Sequence, residues 1–559
     1  MSAISQWSLL ARDTFAIKTF RNLSVSRVRT FSNVVMHRCW QAFHVRRWSY
    51  SFVAICTIAS FWLGAYHLGA VSIWGDEGAS ISIASQHGTS LLRAIAHDGG
   101  NFAFYYLLLH FVISVFGTGT DILRLLSVVC GALCVPLAYA LAALLVSNRC
   151  GLISAALTAT TLPMIYWSHQ TRGYTLVVAL LTASAVAIVI AMRDGGRVAF
   201  VVAGVLAVLS CYTELLGTVV VFVQFMTLAM TPLFRLRWRR WLATGIGVVL
   251  ALIPLLLVAK SRGSHQLFWL GAPTKVQMHE AIGFIASARM NGNVTSVTRL
   301  LLRLTEDLVF AAVAFGVLKS IWIKSIAPLR VVALGWFWLA LPIALAYSVS
   351  IHITPVFLDR YFLICIPALT LLLGYALNAI PIVPIAWLGC GLLIGLRSQQ
   401  LYATHNVTID DWRGVTTQIV NQAHPGDCVA FYFNDGFIDF AYYLEHPPAG
   451  MNIHAPIPRS VLPALEFGSP PTSRTIGDFP PIVESYTALN ARQIVSVSRS
   501  CPELTVLSNH DGHNSITPGA QIVWKRFVGM RDGLRAAYGS MVRDNLGAIS
   551  IYRFTHSGP

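Results

Sequence analysis

The chain alternates long apolar runs with short polar turns, and the turns are of two kinds. Apolar runs fall at 51–73, 122–146, 152–168, 174–192, 198–213, 215–233, 241–259, 303–322, 330–350, 361–380 and 382–396. At about 15–25 residues each, they predict helices that cross a bilayer, the shortest being limit cases. Some turns are basic: Arg149; Arg193 and Arg197; Arg235, Arg237, Arg239 and Arg240; Lys319, Lys324 and Arg330. The others mix acids, amides, histidines and single arginines. A further apolar stretch, NFAFYYLLLHFVISVFG at 101–117, is either a twelfth span or a helix lying in the membrane interface. Parity decides between these. Residues 1–50 carry eight Arg and Lys and one Asp, and cytoplasmic loops are enriched in basic residues. If 101–117 does not cross, that segment and the basic turns above share one side, which gathers 18 of the 29 basic residues before 398. If it crosses, FRLRWRR at 234–240 is translocated. The expected architecture is therefore a polytopic α-helical membrane protein of eleven spans, with interfacial helices in the first outer loop and the C-terminus outside. The loop 260–302 is then external despite its basic residues. Trp7, Leu10, Phe15 and Phe20 suggest an amphipathic helix on the inner leaflet rather than a cleavable signal peptide.

Beyond the last run the pattern changes. DDWRGVTTQIVNQA reads as a helix with Asp410 or Asp411 near its N-cap. DCVAFYF at 427–433 reads as a buried strand, FIDFAYYLE as a second helix, and RQIVSVS at 492–498 and AISIYRF at 548–554 as further strands. Gly and Pro at 447–481 mark a long loop. Three regions result: a basic cytoplasmic segment (1–50), a membrane domain (51–397) and a small extracytoplasmic α/β domain (398–559).

Composition supports this division. Only 11% of the 559 residues are charged and 55% are hydrophobic, whereas soluble domains carry about 25% charged residues. That excludes a single soluble domain, a disordered chain and a coiled coil. The net charge of +16 suggests a nucleic-acid partner, but its distribution does not. Residues 398–559 hold 11 basic and 13 acidic residues, net −2, which leaves +18 beside the apolar runs. The partners this implies are membrane lipids and no nucleic acid, in a multi-pass protein of the inner (plasma) membrane. The ten cysteines form no CxxC and no Cys/His cluster, so no metal site is expected from them. Cys428 and Cys501 can pair if their domain lies outside the cytoplasm.

Because charge is scarce near the membrane, each charge at the outer ends of the spans is a functional candidate. The candidates are Asp76 and Glu77; His97, Asp98 and Asn101; Arg124; Gln170, Arg172 and Tyr174; and Asp359, Arg360 and Tyr361. Paired carboxylates serve as a general base or hold a metal, and arginines clamp phosphate. Each has a plainer reading. Asp76 and Glu77 also suit the start of a helix at 78–86. Arg124 also suits an ion pair with Asp121 or another acid, and Asp359 and Arg360 a pair with each other across a turn. Glu214, His352, Lys260 and Arg262 read better as structural or solvated groups.

The runs WGDEGASISIAS, HDGGNFAFYYLLLHFVISVFG, DILRLLSVVCGALCVPLAYALAALL and MIYWSHQTRGYTL resemble the membrane module of GT-C glycosyltransferases. They are most similar to the branch of protein O-mannosyltransferases and aminoarabinose transferases. DRYFL at 359–363 and DWRG…PGD at 411–427 match later family features. The family's prolines in the 101–117 helix are Phe102 and Ala103 here, and its SQEAR turn reads Ser168-His169-Gln170-Thr171-Arg172. The resemblance implies the GT-C fold and a sugar donor linked to polyprenyl phosphate. It implies an acceptor hydroxyl on a cell-envelope glycan, lipid or protein, with Asp76 as general base and the site on the extracytoplasmic side. No cofactor is required on this reading, although the Asp76–Glu77 pair leaves a divalent cation open. The competing readings are a transporter or flippase of a lipid-linked sugar and a non-catalytic envelope scaffold.

Overall fold

A computed structural model of the chain describes residues 47–262, 270–288, 295–401, 410–432, 435–460, 491–509 and 518–556. The amphipathic segment expected before residue 47, most of the 447–481 loop and the side chain of Arg262 lie outside the described residues. The chain forms two compact units, Met1–Ile55 and Cys56–Pro559, and the second holds the apolar helices from Thr120 onward and the C-terminal domain.

Every predicted apolar run contains helix, although the first, 51–73, leaves its helix at Ala65. Among the described residues, six helices are long and apolar enough to cross a membrane: Arg47–Ala65, Thr120–Leu145, Tyr174–Asp194, Phe234–Ser261, Ile326–His352 and Asp359–Ala379. The run 152–168 is not one straight span. It is two helices, Asn148–Ala159 and Leu162–Ser168, bent by 51°, and a seventh crossing if counted together. Pro163 opens the second helix and has no N–H to bond back to Ala159, so the ladder stops there. Arg197–Thr213, Gly217–Ala229 and Val383–Ser398 are shorter. Ser296–Trp322 is long enough but carries Arg299, Arg303, Glu306, Asp307 and Lys319. Length and composition thus give six or seven crossings where the pattern suggested eleven.

Three helices run the length of the bundle, two in one sense and the third in the opposite one. Thr120–Leu145 starts near Arg124 and ends beside Arg149. Tyr174–Asp194 runs from Arg172 to Arg193. Ile326–His352 carries Arg330 at its start and leads into Asp359–Cys365. One end therefore gathers the candidate residues, and the other gathers basic turns. Between the first two apolar helices lie Gly75–Ala84, Gly88–His97 and Ala103–Phe116. The last has 14 residues, about 21 Å at 1.5 Å per residue, too short for a hydrocarbon core of about 30 Å.

The C-terminal domain is a five-stranded sheet in the order β2-β1-β3-β5-β4, with β1 Cys428–Tyr432, β2 Arg459–Ser460, β3 Glu503–Ser508, β4 Gly539–Leu546 and β5 Ile549–His556. β1 is parallel to β2 and β3, whereas β5 is antiparallel to β3 and β4. Every residue of β1 is buried. Side chains alternate across the sheet, and both of its faces are covered. Phe431 meets Trp412 and Phe440, while Tyr432 meets Phe527. Asp411 caps helix Trp412–Gln422 by accepting from Gly414 N at 3.0 Å. Cys428 and Cys501 form a disulfide. The segment RQIVSVS, expected as a strand, lies in helix Ala491–Ser498. Ile494 and Ser498 are buried one turn apart, and the Ser498 hydroxyl donates to Ile494 O, so tertiary packing overrides the β-branched composition.

Candidate active site

The site is built on the turn and helix that follow the first apolar helix. Residues 66–72 are not helical because their carbonyls face outside partners. Arg124 donates to the carbonyls of Leu68, Val71 and Ser72 at 2.7, 3.0 and 3.2 Å. From the C-terminal domain, Arg413 donates to Gly69 O at 2.7 Å and Ala70 O at 2.9 Å. Tyr443 accepts from Ile73 N at 2.8 Å. Helix Asp435–Glu445 packs against Gly75–Ala84, where a Cβ on Gly78 would lie 2.0 Å from Asp439 Oδ1, so only glycine fits. The loop that carries Asp76 is thus gripped from both sides.

Asp76 and Glu77 are adjacent, yet successive helical side chains point about 100° apart, and their surroundings differ. Glu77 is fully buried and receives Arg124 through two parallel bonds of 2.9 and 2.7 Å, with Thr171 N donating at 2.7 Å. Together with its three carbonyl bonds, all five N–H groups of Arg124 are used. Asp121, the partner considered from sequence, is not the one chosen. Asp76 instead keeps its carboxylate 30% exposed, 3.2 Å from Arg360 and 3.7 Å from Arg172. Arg172 also donates to Ser80 Oγ at 3.0 Å and Asp76 O at 3.2 Å, and it lies 4.5 Å from the Phe102 ring centroid. Arg360 lies over Trp74 at 5.9 Å, and Trp74 Nε1 donates to Gln170 at 2.5 Å.

Tyr174 is buried, packing on Phe102 at 5.1 Å, Trp167 at 4.5 Å and Tyr361 at 6.5 Å. Phe102 has a φ of +57°, a conformation closed to proline, so the departure from the family's prolines has a structural basis here. Its ring fits over Gly173, where a Cβ would approach to 2.6 Å. Asp98 accepts from the Tyr106 hydroxyl at 2.8 Å. Burial pushes its carboxyl up to about 6, against the opposing pull of Arg172.

Other candidates lie around this cluster without joining it. Asn101 accepts from Leu215 N at 3.3 Å. Asp359 accepts from the neighbouring Arg360 N. His97 ends its helix half-buried, and Lys260 and His352 are exposed. Sequence reasoning passed over Trp74, Ser80, Phe102 and Trp167, which carry no charge to mark them. Glu214 is buried beside the same cluster. Among the described residues both its oxygens lack a hydrogen-bond partner, as do Tyr174 OH, Trp167 Nε1, Thr171 Oγ1, Arg172 Nε and Arg360 Nε. Burial drives the Glu214 carboxyl well up, partly offset by Arg172 and Arg360. Such a concentration of unmet donors and acceptors suits a polar ligand. Glu77 thus spends its oxygens on Arg124 and Thr171, while Asp76 faces Arg172 and Arg360.

The family described as dolichyl-phosphate-mannose-protein mannosyltransferase matches residues 103–259. Among solved structures, the crystal structure of ArnT from Cupriavidus metallidurans in the apo state is similar with a TM-score of 0.51 at 14% identity, over 92% of this chain and 100% of that one. The same protein bound to undecaprenyl phosphate matches with a TM-score of 0.48 at 14% identity, over 92% and 99%. The archaeal oligosaccharyltransferase AglB from Archaeoglobus fulgidus, in complex with an inhibitory peptide and a dolichol-phosphate, matches with a TM-score of 0.49 at 12% identity, over 90% and 74%. No curated protein matches by sequence. The chain has the GT-C fold.

Proposed function

We propose that this GT-C chain is a glycosyltransferase that takes a sugar from a polyprenyl-phosphate donor and passes it to a hydroxyl of an extracytoplasmic glycan, lipid or protein. The observation that carries this reading is the convergence of Arg172 and Arg360 on the half-open carboxylate of Asp76, amid buried polar groups with unmet bonds. The match over residues 103–259 to a family named for a dolichyl-phosphate-mannose donor supports the donor class.

The reaction follows from the charges. Asp76 accepts the proton of the acceptor hydroxyl as that oxygen attacks the anomeric carbon. The bond from that carbon to the phosphate oxygen breaks, and its electron pair leaves with the polyprenyl phosphate. Negative charge thus grows on the phosphate, and the guanidiniums of Arg360 and Arg172 are fixed in advance to receive it. Trp74, Tyr174 and Phe102 set the planes of those guanidiniums. Glu77 and Arg124 act indirectly, by holding the turn that aims Asp76. With the basic ends of the helices in the cytoplasm, the site opens to the outer leaflet.

The test is mass spectrometry of cell-envelope glycans. Cells lacking the gene should lose one sugar residue, and the wild-type gene should restore it. Asp76→Asn, expressed at the normal level, should not. Restoration by Asp76→Asn would overturn the assignment of the base.

A further inference from the structure

At the far end of the bundle, arginines lie beside a cavity that the reaction does not use. We propose that this cavity holds the phosphate headgroup of an anionic phospholipid. The cavity has a volume of about 200 Å³. Its walls include Val189, Met192 and Leu228, and its polar groups come from Arg193, Thr231 and Arg330.

Three features point to an anion. Arg330 Nε and Thr231 Oγ1 are buried and have no hydrogen-bond partner among the described residues. An unmet buried donor is unfavourable and calls for an acceptor. Arg193, the other cation on this cavity, donates to Leu144 O, and neither arginine has a carboxylate within ion-pair distance among the described residues. Two like charges around one small cavity repel each other unless a counter-charge joins them. The oxygens of one phosphate accept from Arg330, Thr231 and Arg193 together.

The surroundings select a lipid over free phosphate. The remaining walls are aliphatic, which suits the glycerol and upper acyl chain. The position fits as well. Tyr174–Asp194 joins the catalytic cluster to Arg193 through 21 residues, about 31 Å of helix, close to the hydrocarbon thickness of about 30 Å. The cavity therefore lies at the opposite membrane surface from Asp76, at headgroup depth, where basic pockets between helices meet anionic lipids.

The experiment measures the melting midpoint of the purified full chain in neutral detergent with added dioleoylphosphatidylglycerol, dioleoylphosphatidylcholine or inorganic phosphate. Phosphatidylglycerol should raise the wild-type midpoint by about 3 °C, and the other two should leave it in place. The Arg193→Gln/Arg330→Gln double variant should lose the response. Leu228→Phe keeps both arginines and fills the cavity, and it should lose the response too. It decides the matter if the double variant does not fold. An equal shift from phosphate alone would mark a small-anion site, and an equal shift from phosphatidylcholine would mark unspecific lipid contact. Either result overturns the proposal, as does a full shift in Leu228→Phe.

Discussion

The two ends of the helix bundle put arginine to opposite uses. At the basic end, arginines close helices. Arg149 donates to Ile380 O at 2.9 Å, Arg237 to Ala191 O at 3.0 Å and to Met192 O, and Arg240 to Gly195 O. Each satisfies carbonyls that a helix C-terminus leaves open, and its charge opposes the helix dipole. At the other end, Arg172 and Arg360 converge on one carboxylate and retain N–H groups with no partner. The same side chain is structural where it closes a helix or a buried ion pair and available for chemistry where it meets a half-open carboxylate; an unmet Nε alone does not mark the difference, because Arg149 and Arg330 at the basic end have one too. Glu77–Arg124 shows that the difference is not about location, because this pair sits at the candidate-site end with every arginine donor used.

Variants on each side of that contrast should separate. The largest effect is expected at the buried pair. Arg124→Met leaves Glu77 in the interior without its counter-charge, a loss of about 3–5 kcal/mol, visible as little folded protein in size-exclusion chromatography. Next is Arg360→Lys, which keeps the charge but not the planar fork. Sugar transfer should fall about a hundredfold with the melting midpoint unchanged. Equal transfer would mean that Arg360 only neutralises Asp76.

Smaller still is a pH effect through Asp98. Its folded carboxyl titrates near 6 against an ordinary value of 3.8, so the folded state holds the extra proton between those values. Stability should therefore fall as pH rises from about 4 to about 6, and Asp98→Asn should flatten the melting midpoint across that range. The smallest effect belongs to the basic end. Arg237→Gln should cost about 0.3–1 kcal/mol and leave transfer untouched. A large loss of activity there would break the contrast between the two ends.

Much of this was legible in the chain. Apolar runs gave the helices, and scarcity of charge singled out Asp76, Arg172 and Arg360. What stayed hidden was direction. Neighbouring residues such as Asp76 and Glu77 read alike in a string, and only the docked helix shows that one faces the site and the other Arg124. The bend before Pro163 was visible as a proline but not as a break in a run of apolar residues. Strand β4, GSMVRDNL, is mostly exposed and lacks apolar alternation, so no pattern announced it. Helix Ala491–Ser498 was misread because an alternating apolar run of that length suits either state until its neighbours are known. The grip of Arg413 and Tyr443 on residues 69–73 joins positions more than 300 apart, beyond any local signal.

The most direct measurement compares Asp76→Asn with Glu77→Gln in the same preparation, scoring both melting midpoint and sugar transfer in lipid vesicles. The account predicts a clean split: Asp76→Asn melts like the wild type and transfers no sugar, while Glu77→Gln melts early or does not fold. Wild-type transfer by a well-folded Asp76→Asn would contradict it.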